Sequence, residues 1–262
     1  MKTSAVIAAA AATTLAGTAQ AHFQFLYTPE VMLAEPGDVP LAMVFGHPME
    51  NGHTMNMGEP EEFFVVFKGE KTDLKDSLEA VKWSGSGEEP SDAYTATYKV
   101  RRNGDYSVAL GPAPYMEGAE DINSQQITKT ILNKGAMPTG WNEPIGRPTE
   151  IVPMNKPYQT FVGGTFTGQL LSDGKPAAGI ECEVEDINAE VDMEGKAFSK
   201  EPKGTVPPSA VVAITDENGM FTFGIPRAGT WGFACLGSGP VKEHEGKELS
   251  QDAVLWIHAT EL

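Results

Sequence analysis

The chain has 262 residues, 40% of them hydrophobic, and 36 acidic against 19 basic side chains give it a formal charge of −17. That is enough apolar material for a sizeable core, more naturally arranged in two domains than in one. So acidic a surface argues against nucleic acid and anionic lipid as partners and mildly concentrates cations, although its main effect is solubility.

Residues 1–21 read as a signal peptide. Lys2 is the positive start, Ala5 to Gly17 is an apolar run too short to span a bilayer, and Ala19-Gln20-Ala21 is a small-residue cleavage site. Cleavage after Ala21 would export the protein to a periplasm with no later segment suited to stable membrane insertion. It would also make His22 the first residue, with a free α-amine.

From there the chain reads as strands. His22 to Tyr27 is apolar and aromatic, Pro36-Gly37-Asp38 is a turn, and Leu41 to Phe45 is a buried-strand run. Phe63 to Phe67 is another. Leu74 to Val81 fits one short helix. Tyr94 to Val100 alternates, and Asn103-Gly104 predicts a hairpin into Tyr106 to Leu110. Between Gly111 and Pro157 prolines interrupt the pattern. Gln126 to Leu132 is the candidate ordered element there, and Trp141 packs at a domain boundary or simply over the core. Strand patterns resume at Phe161–Leu171, Ile180–Val184, Val211–Thr215, Met220–Phe223, Gly229–Ala234 and Ala253–Ile257, with turns at Asp173-Gly174 and 216–219. The polar stretch from Asp186 to Pro208 reads as a mobile excursion. The fold class is therefore mainly β, in two β-sandwich domains. Residues 22–157 form the first with its Pro-rich connection. Residues 158–262 form a Greek-key sandwich of the transthyretin or carboxypeptidase-regulatory type.

The two cysteines, Cys182 and Cys235, form no C-x-x-C motif. In an oxidising compartment they can pair, or they can be buried small apolar residues; spacing leaves both open. No G-x-S-x-G, H-E-x-x-H, P-loop or G-x-G-x-x-G pattern occurs, and nothing assembles a nucleophile with a base, so the chain is not expected to be an enzyme.

The chemistry concentrates in Gly46-His47-Pro48-Met49-Glu50-Asn51-Gly52-His53-Thr54-Met55-Asn56-Met57, which holds two of the five histidines. His47 sits between a strand end and a proline of locked φ, which suits a rigid ligand or a sheet-edge cap. His53 adds a second imidazole. Met55 and Met57 offer thioethers of the kind that select Cu(I), or they fill a core. Glu50 is a candidate oxygen ligand, an acceptor for an imidazole N–H, or a solvated side chain. A free N-terminal His22 has a further capacity: its amine and its own Nδ1 can chelate one ion, and a loop imidazole can supply the third nitrogen. Such donors suit Ni, Cu, Zn or Fe better than Mg or Ca. His244 and His258 read as loop and sheet-surface residues.

In order along the chain, several segments resemble one family: the periplasmic nickel-binding component encoded with energy-coupling-factor-type nickel uptake transporters, long catalogued as a domain of unknown function. They are Ala21-His22-Phe23, Phe45-Gly46-His47-Pro48-Met49-Glu50-Asn51, Gly140-Trp141-Asn142-Glu143-Pro144 and Thr149-Glu150-Ile151-Val152-Pro153. Gly174-Lys175-Pro176, Thr215-Asp216-Glu217-Asn218-Gly219, Pro226 to Phe233 and Ala253-Val254-Leu255-Trp256 complete the set. The resemblance implies a soluble exported protein that captures Ni(II), with cobalt as the nearest alternative, and supports its delivery to membrane transporter components. It implies His22 and His47 as ligands and extends no role to His53 or the cysteines. Three other readings stay open on the residues alone. One is a periplasmic copper-binding protein with an N-terminal histidine chelate, another is a copper histidine-brace polysaccharide monooxygenase, and the third is an interaction module with no metal, which paired sandwiches would permit.

Overall fold

The computed structural model describes residues 22–50, 53–87, 89–118 and 121–262. The expected signal peptide, and Asn51 and Gly52 of the histidine loop, lie outside the described residues. Among the rest, the one helical element is a 3-10 turn at Lys75–Ser77; everything else regular is strand.

Strands Phe23–Tyr27, Gly37–Gly46, Ser91–Val100 and Glu79–Trp83 pair in that order, with the short Thr54–Met55 added to the end of Gly37–Gly46. Their inner side chains (Phe25, Leu41, Met43 and Trp83 among them) share a core with Phe63, Val65, Val108 and Leu132 of an opposing sheet. That opposing sheet is twelve-stranded and does not end with the first sandwich. Its strand Ile122–Lys134 pairs in parallel with Lys247–Thr260, which leads on to Gly229–Cys235, Glu181–Asp186 and Val211–Ile214. There it packs against Thr149–Pro153, Thr165–Ser172 and Met220–Gly224 around Phe166, Phe221 and Phe233. The chain is thus mainly β, built as sandwiches, with one sheet running through both cores. Thr149–Pro153, which precedes the boundary placed at 157, pairs with Thr165–Ser172 of the second sandwich.

The last strand shows how one sequence serves two cores. Because side chains alternate along a strand, Ala253, Leu255 and Ile257 enter the second core while Val254 and Trp256 enter the first. Trp256 stacks on Phe25 at 5.2 Å and donates its indole N–H to the Gln24 carbonyl at 2.8 Å. Gly232, on the neighbouring strand, makes room for it: a Cβ there would lie 2.7 Å from the indole.

Three sequence expectations are corrected. Asn103-Gly104 makes no hairpin: Ser91–Val100 pairs in the first sheet, and Gly104–Gly111 crosses to the opposing one and pairs with Glu62–Phe67 and Ile122–Lys134, so the turn joins the two layers of the sandwich. Leu74 to Val81 is not a helix: after the 3-10 turn, Glu79–Trp83 runs antiparallel to Ser91–Val100. Burial of Trp83 against Phe198 outweighs local propensity there. The stretch from Asp186 to Pro208 is not a free excursion. It forms a small hairpin, Val191–Asp192 with Ala197–Phe198, and buries Ile187, Ala189 and Phe198 in the first core. Its few apolar residues are spaced for docking, which its polar average conceals.

The Pro-rich connection is held by buried carboxylates. Asp105 accepts the backbone N–H groups of Gly140 and Trp141, and Glu150 accepts those of Ile145 and Gly146 while pairing with buried Lys129 at 2.8 Å. Cys182 and Cys235 face each other across adjacent strands and are disulfide-bonded, which settles the pairing that spacing left open.

Candidate metal centre

His22 leads into the edge strand of the first sandwich, and among the described residues that edge has no strand partner on its outer side. Side chains replace it. Gln126 accepts the Gln24 N–H at 2.6 Å and donates to the His22 carbonyl at 2.6 Å, while Trp256 satisfies the Gln24 carbonyl. A buried backbone edge needs partners of this kind, and here they fix where His22 lies.

Antiparallel pairing of Phe23 with Gly46 then carries His22 to the end of the strand that delivers His47. The two imidazole rings lie 4.4 Å apart between centroids, and His53 continues the row at 5.9 Å from His47. The loop closes tightly because Gly46 has no side chain: a Cβ would sit 2.5 Å from the His53 carbonyl oxygen, which instead accepts the His47 N–H at 3.0 Å.

The far side of the loop is held by the second sandwich. Met49 is buried in the second core, its N–H donates to Glu185, and its carbonyl accepts from Asn188. The Asn188 N–H reaches the Pro48 carbonyl at 3.0 Å. His47 is therefore set between a strand end on one side and a clamp from the other sandwich.

The remaining candidate ligands part company with this row. Glu50 is exposed, and its charge acts on Glu185 of the second sandwich. Met55 pairs with Phe45 and packs on the first core. Met57 is buried in that core with its sulfur 3.8 Å from the Gln24 amide. Met57 thus fills space, the ordinary role of a methionine.

One residue joins the row without any sequence signal that singled it out. Glu117 places Oε1 2.8 Å from His22 Nδ1. It sits on Tyr115–Glu117, which turns back to pair with Ile122–Lys134. Tyr115, two positions earlier on the same face, lies 6.3 Å from the His22 ring and 4.9 Å from Phe45. The alternation of Tyr115 and Glu117 before the Gly118 turn was the available clue. Among the described residues, no three His, Cys, Asp or Glu side chains already surround one point; the third nitrogen of an N-terminal chelate is the main-chain amine of His22, which processing would have to free. The donors fit a borderline divalent ion: imidazole nitrogens and one carboxylate, with Met57 turned away.

Beneath the loop lie buried carboxylates. Burial pushes Glu185 up to about 8, reinforced by the charges of Glu183, Glu50 and Asp186 and opposed by its bond from Met49. Burial likewise raises Glu183 to about 7, helped by Glu181 and Asp252, and it raises Asp252. Asp252 is tied to the His22 backbone through Gln126, whose amide nitrogen is 3.4 Å from Oδ2.

A family described as "Domain of unknown function (DUF4198)" matches residues 19–239. No curated protein matches the chain. Among solved structures, the Yersinia pseudotuberculosis adhesin InvE aligns at 11% identity and a TM-score of 0.25, over 88% of this chain and 58% of its own. The D0-D1 domain of Intimin aligns at 12% identity and a TM-score of 0.23, over 91% of this chain and 100% of its own. Trypsin-activated alpha-2-macroglobulin from Escherichia coli aligns at 10% and 0.25, over 94% of this chain and 16% of its own. This chain thus spans 58% of the adhesin's length, and scores this low carry no functional argument.

Proposed function

This chain belongs to the family described as a domain of unknown function (DUF4198), and we propose that it is an exported carrier that captures Ni(II) through His22 and His47 for delivery to a membrane transporter. The observation that carries the reading is the 4.4 Å approach of the two imidazoles, which come from separate strands and are brought together by the Phe23–Gly46 pairing. Removal of residues 1–21 would add the α-amine beside them. An amine and two imidazoles then form a three-nitrogen set, and Ni(II) and Cu(II) both accept such donors in square or tetragonal geometry. The clamp on Pro48 and Met49 supports a preformed site, because it fixes the His47 backbone without using the ring. The resemblance to nickel-uptake components supplies the preference for nickel, with cobalt next; ligand affinity alone favours copper.

Calorimetry with Ni(II) tests the reading on a chain beginning at His22 and on one carrying a single extra residue before it. The expected result is tight binding by the first and a loss of at least tenfold by the second. His47→Ala should abolish binding, while His53→Ala should change it far less. Equal affinity of the two starting points would sink the N-terminal chelate. Competition among Ni(II), Co(II), Cu(II) and Cu(I) on the same chain separates the nickel reading from a copper one.

A further inference from the structure

Glu117 is hydrogen-bonded to the first histidine of the row. Resting on the reading of His22 and His47 as a cation-binding pair, we propose that Glu117 is a direct oxygen ligand of the captured ion. It would complete a mixed nitrogen–oxygen set that selects a divalent cation over Cu(I).

The spacing supports this. Two donors about 2.0–2.1 Å from one ion and at right angles to each other are about 2.9 Å apart; at the tetrahedral angle they are about 3.3–3.4 Å apart. Oε1 of Glu117 and Nδ1 of His22 stand 2.8 Å apart, the separation of neighbouring donors in square or octahedral coordination. Nδ1 is also the ring nitrogen that an N-terminal histidine uses to chelate with its own amine.

Charge points the same way. The amine and the two imidazoles are neutral as ligands, so a divalent ion held by them alone would keep its full charge in a partly enclosed site. Glu117 supplies one compensating charge, and its side chain is only 16% exposed. Among the described residues no lysine or arginine pairs with it. Cu(I) gains less from such a donor: it carries a single charge and favours soft sulfur. Of the two loop sulfurs that Cu(I) would use, Met57 is buried in the first core and Met55 packs against it.

The strand holding Glu117 is built to keep it in place. Its backbone pairs with Asn123 and Ser124, and Tyr115 packs beneath the His22 ring from the same face. The carboxylate is therefore presented by a sheet and not by a free loop.

Competitive titration and ligand-field absorption of the chain beginning at His22, with Ni(II) and Cu(I) as probes, test the proposal. Glu117→Gln keeps the shape and the hydrogen-bonding reach, and an unchanged melting temperature would verify its fold. The expected result is a loss of Ni(II) affinity beyond the roughly 10–100-fold scale of a group that only orients a ligand, a shift of the nickel absorption bands and an unchanged Cu(I) affinity. Glu117→Asp should recover part of the nickel affinity. Wild-type nickel affinity and spectrum in Glu117→Gln would overturn the proposal while leaving the histidine reading intact. An equal loss for both ions would also overturn it, since it would mean that Glu117 only positions His22. A wild-type chain that binds neither ion would sink the histidine reading itself.

Discussion

The second sandwich and the first use the same sheet in different ways. Around Phe166, Phe221 and Phe233 the second core is apolar, and a disulfide fastens two of its neighbouring strands. The first has a larger apolar core, but its seam with the second is lined by Gln24, Gln126, Asp252 and Glu185, all buried. Polar groups are costly to bury unless they are paired, and here some of the bonds go to main chain at the two ends of the histidine row: Gln126 to His22, Glu185 and the neighbouring Asn188 to the Pro48–Met49 turn. The second sandwich thus behaves as a rigid support, and the seam is where rigidity is converted into position. A ligand loop on the first sandwich alone would lack half of its anchors.

The strongest way to break this arrangement is at the shared strand. Trp256→Ala should cost about 3–5 kcal/mol, the range for emptying a buried aromatic site. It also removes the hydrogen bond that satisfies the Gln24 carbonyl. Because the strand feeds both cores, urea unfolding should remain a single transition at a lower midpoint when followed by fluorescence and by circular dichroism. Two separated transitions would show that the sandwiches fold independently.

The seam carboxylates give the next largest effect. A glutamate with an ordinary value of 4.5 is raised to about 8 at Glu185 and to about 7 at Glu183, chiefly by burial. The groups that face them, Glu181, Asp186, Glu50 and Asp252, are all acidic and reinforce the shift. In both cases the folded value lies above the unfolded one, so the folded state holds the proton more tightly. Their contribution to stability is complete below pH about 4.5 and is lost as pH rises through about 7 to 8. Around pH 6, between the ordinary and the raised values, each carboxyl contributes a slope approaching about 1.4 kcal/mol per pH unit. Urea midpoints of the metal-free protein should therefore fall as pH rises through this window. Glu185→Gln should flatten the fall, and an unchanged slope in that variant would remove Glu185 from the account.

Much of this molecule was legible in its sequence, and the parts that were not share a cause. Strands such as Leu41–Phe45 and Phe63–Phe67 announce themselves because both of their faces are apolar, whereas Asn103-Gly104 marks a turn whose flanking strands enter opposite sheets and do not pair. His22 and His47 stood out by chemistry, and their approach follows once the two strands pair. Glu117, Glu185 and Asn188 did not stand out. Each is an ordinary polar residue whose role comes from a partner distant in the chain, and no local period encodes that partner. The same blindness explains the reading of Asp186–Pro208 as mobile. Its mean polarity is high, yet Ile187, Ala189 and Phe198 are enough to dock it, and docking is what brings Asn188 to the loop. For Met57 the residues alone left a ligand and a core filler both open, and it lies buried in the first core.

The smallest of these effects on stability is the most informative about the link between the sandwiches. The Asn188 side chain donates to the Met49 and Gly204 carbonyls and accepts the Gly204 N–H. Asn188→Ala should cost about 1–2 kcal/mol, because buried groups lose partners while no large cavity forms. It touches none of the histidines. If the second sandwich merely supports the first, nickel affinity should be unaffected once the protein is folded. If the clamp positions His47, affinity should fall about tenfold, the scale seen when groups behind a metal ligand are removed. The binding stoichiometry and the circular dichroism spectrum would stay unchanged. The second result is expected, since the Asn188 main chain and side chain grip the two residues that follow His47.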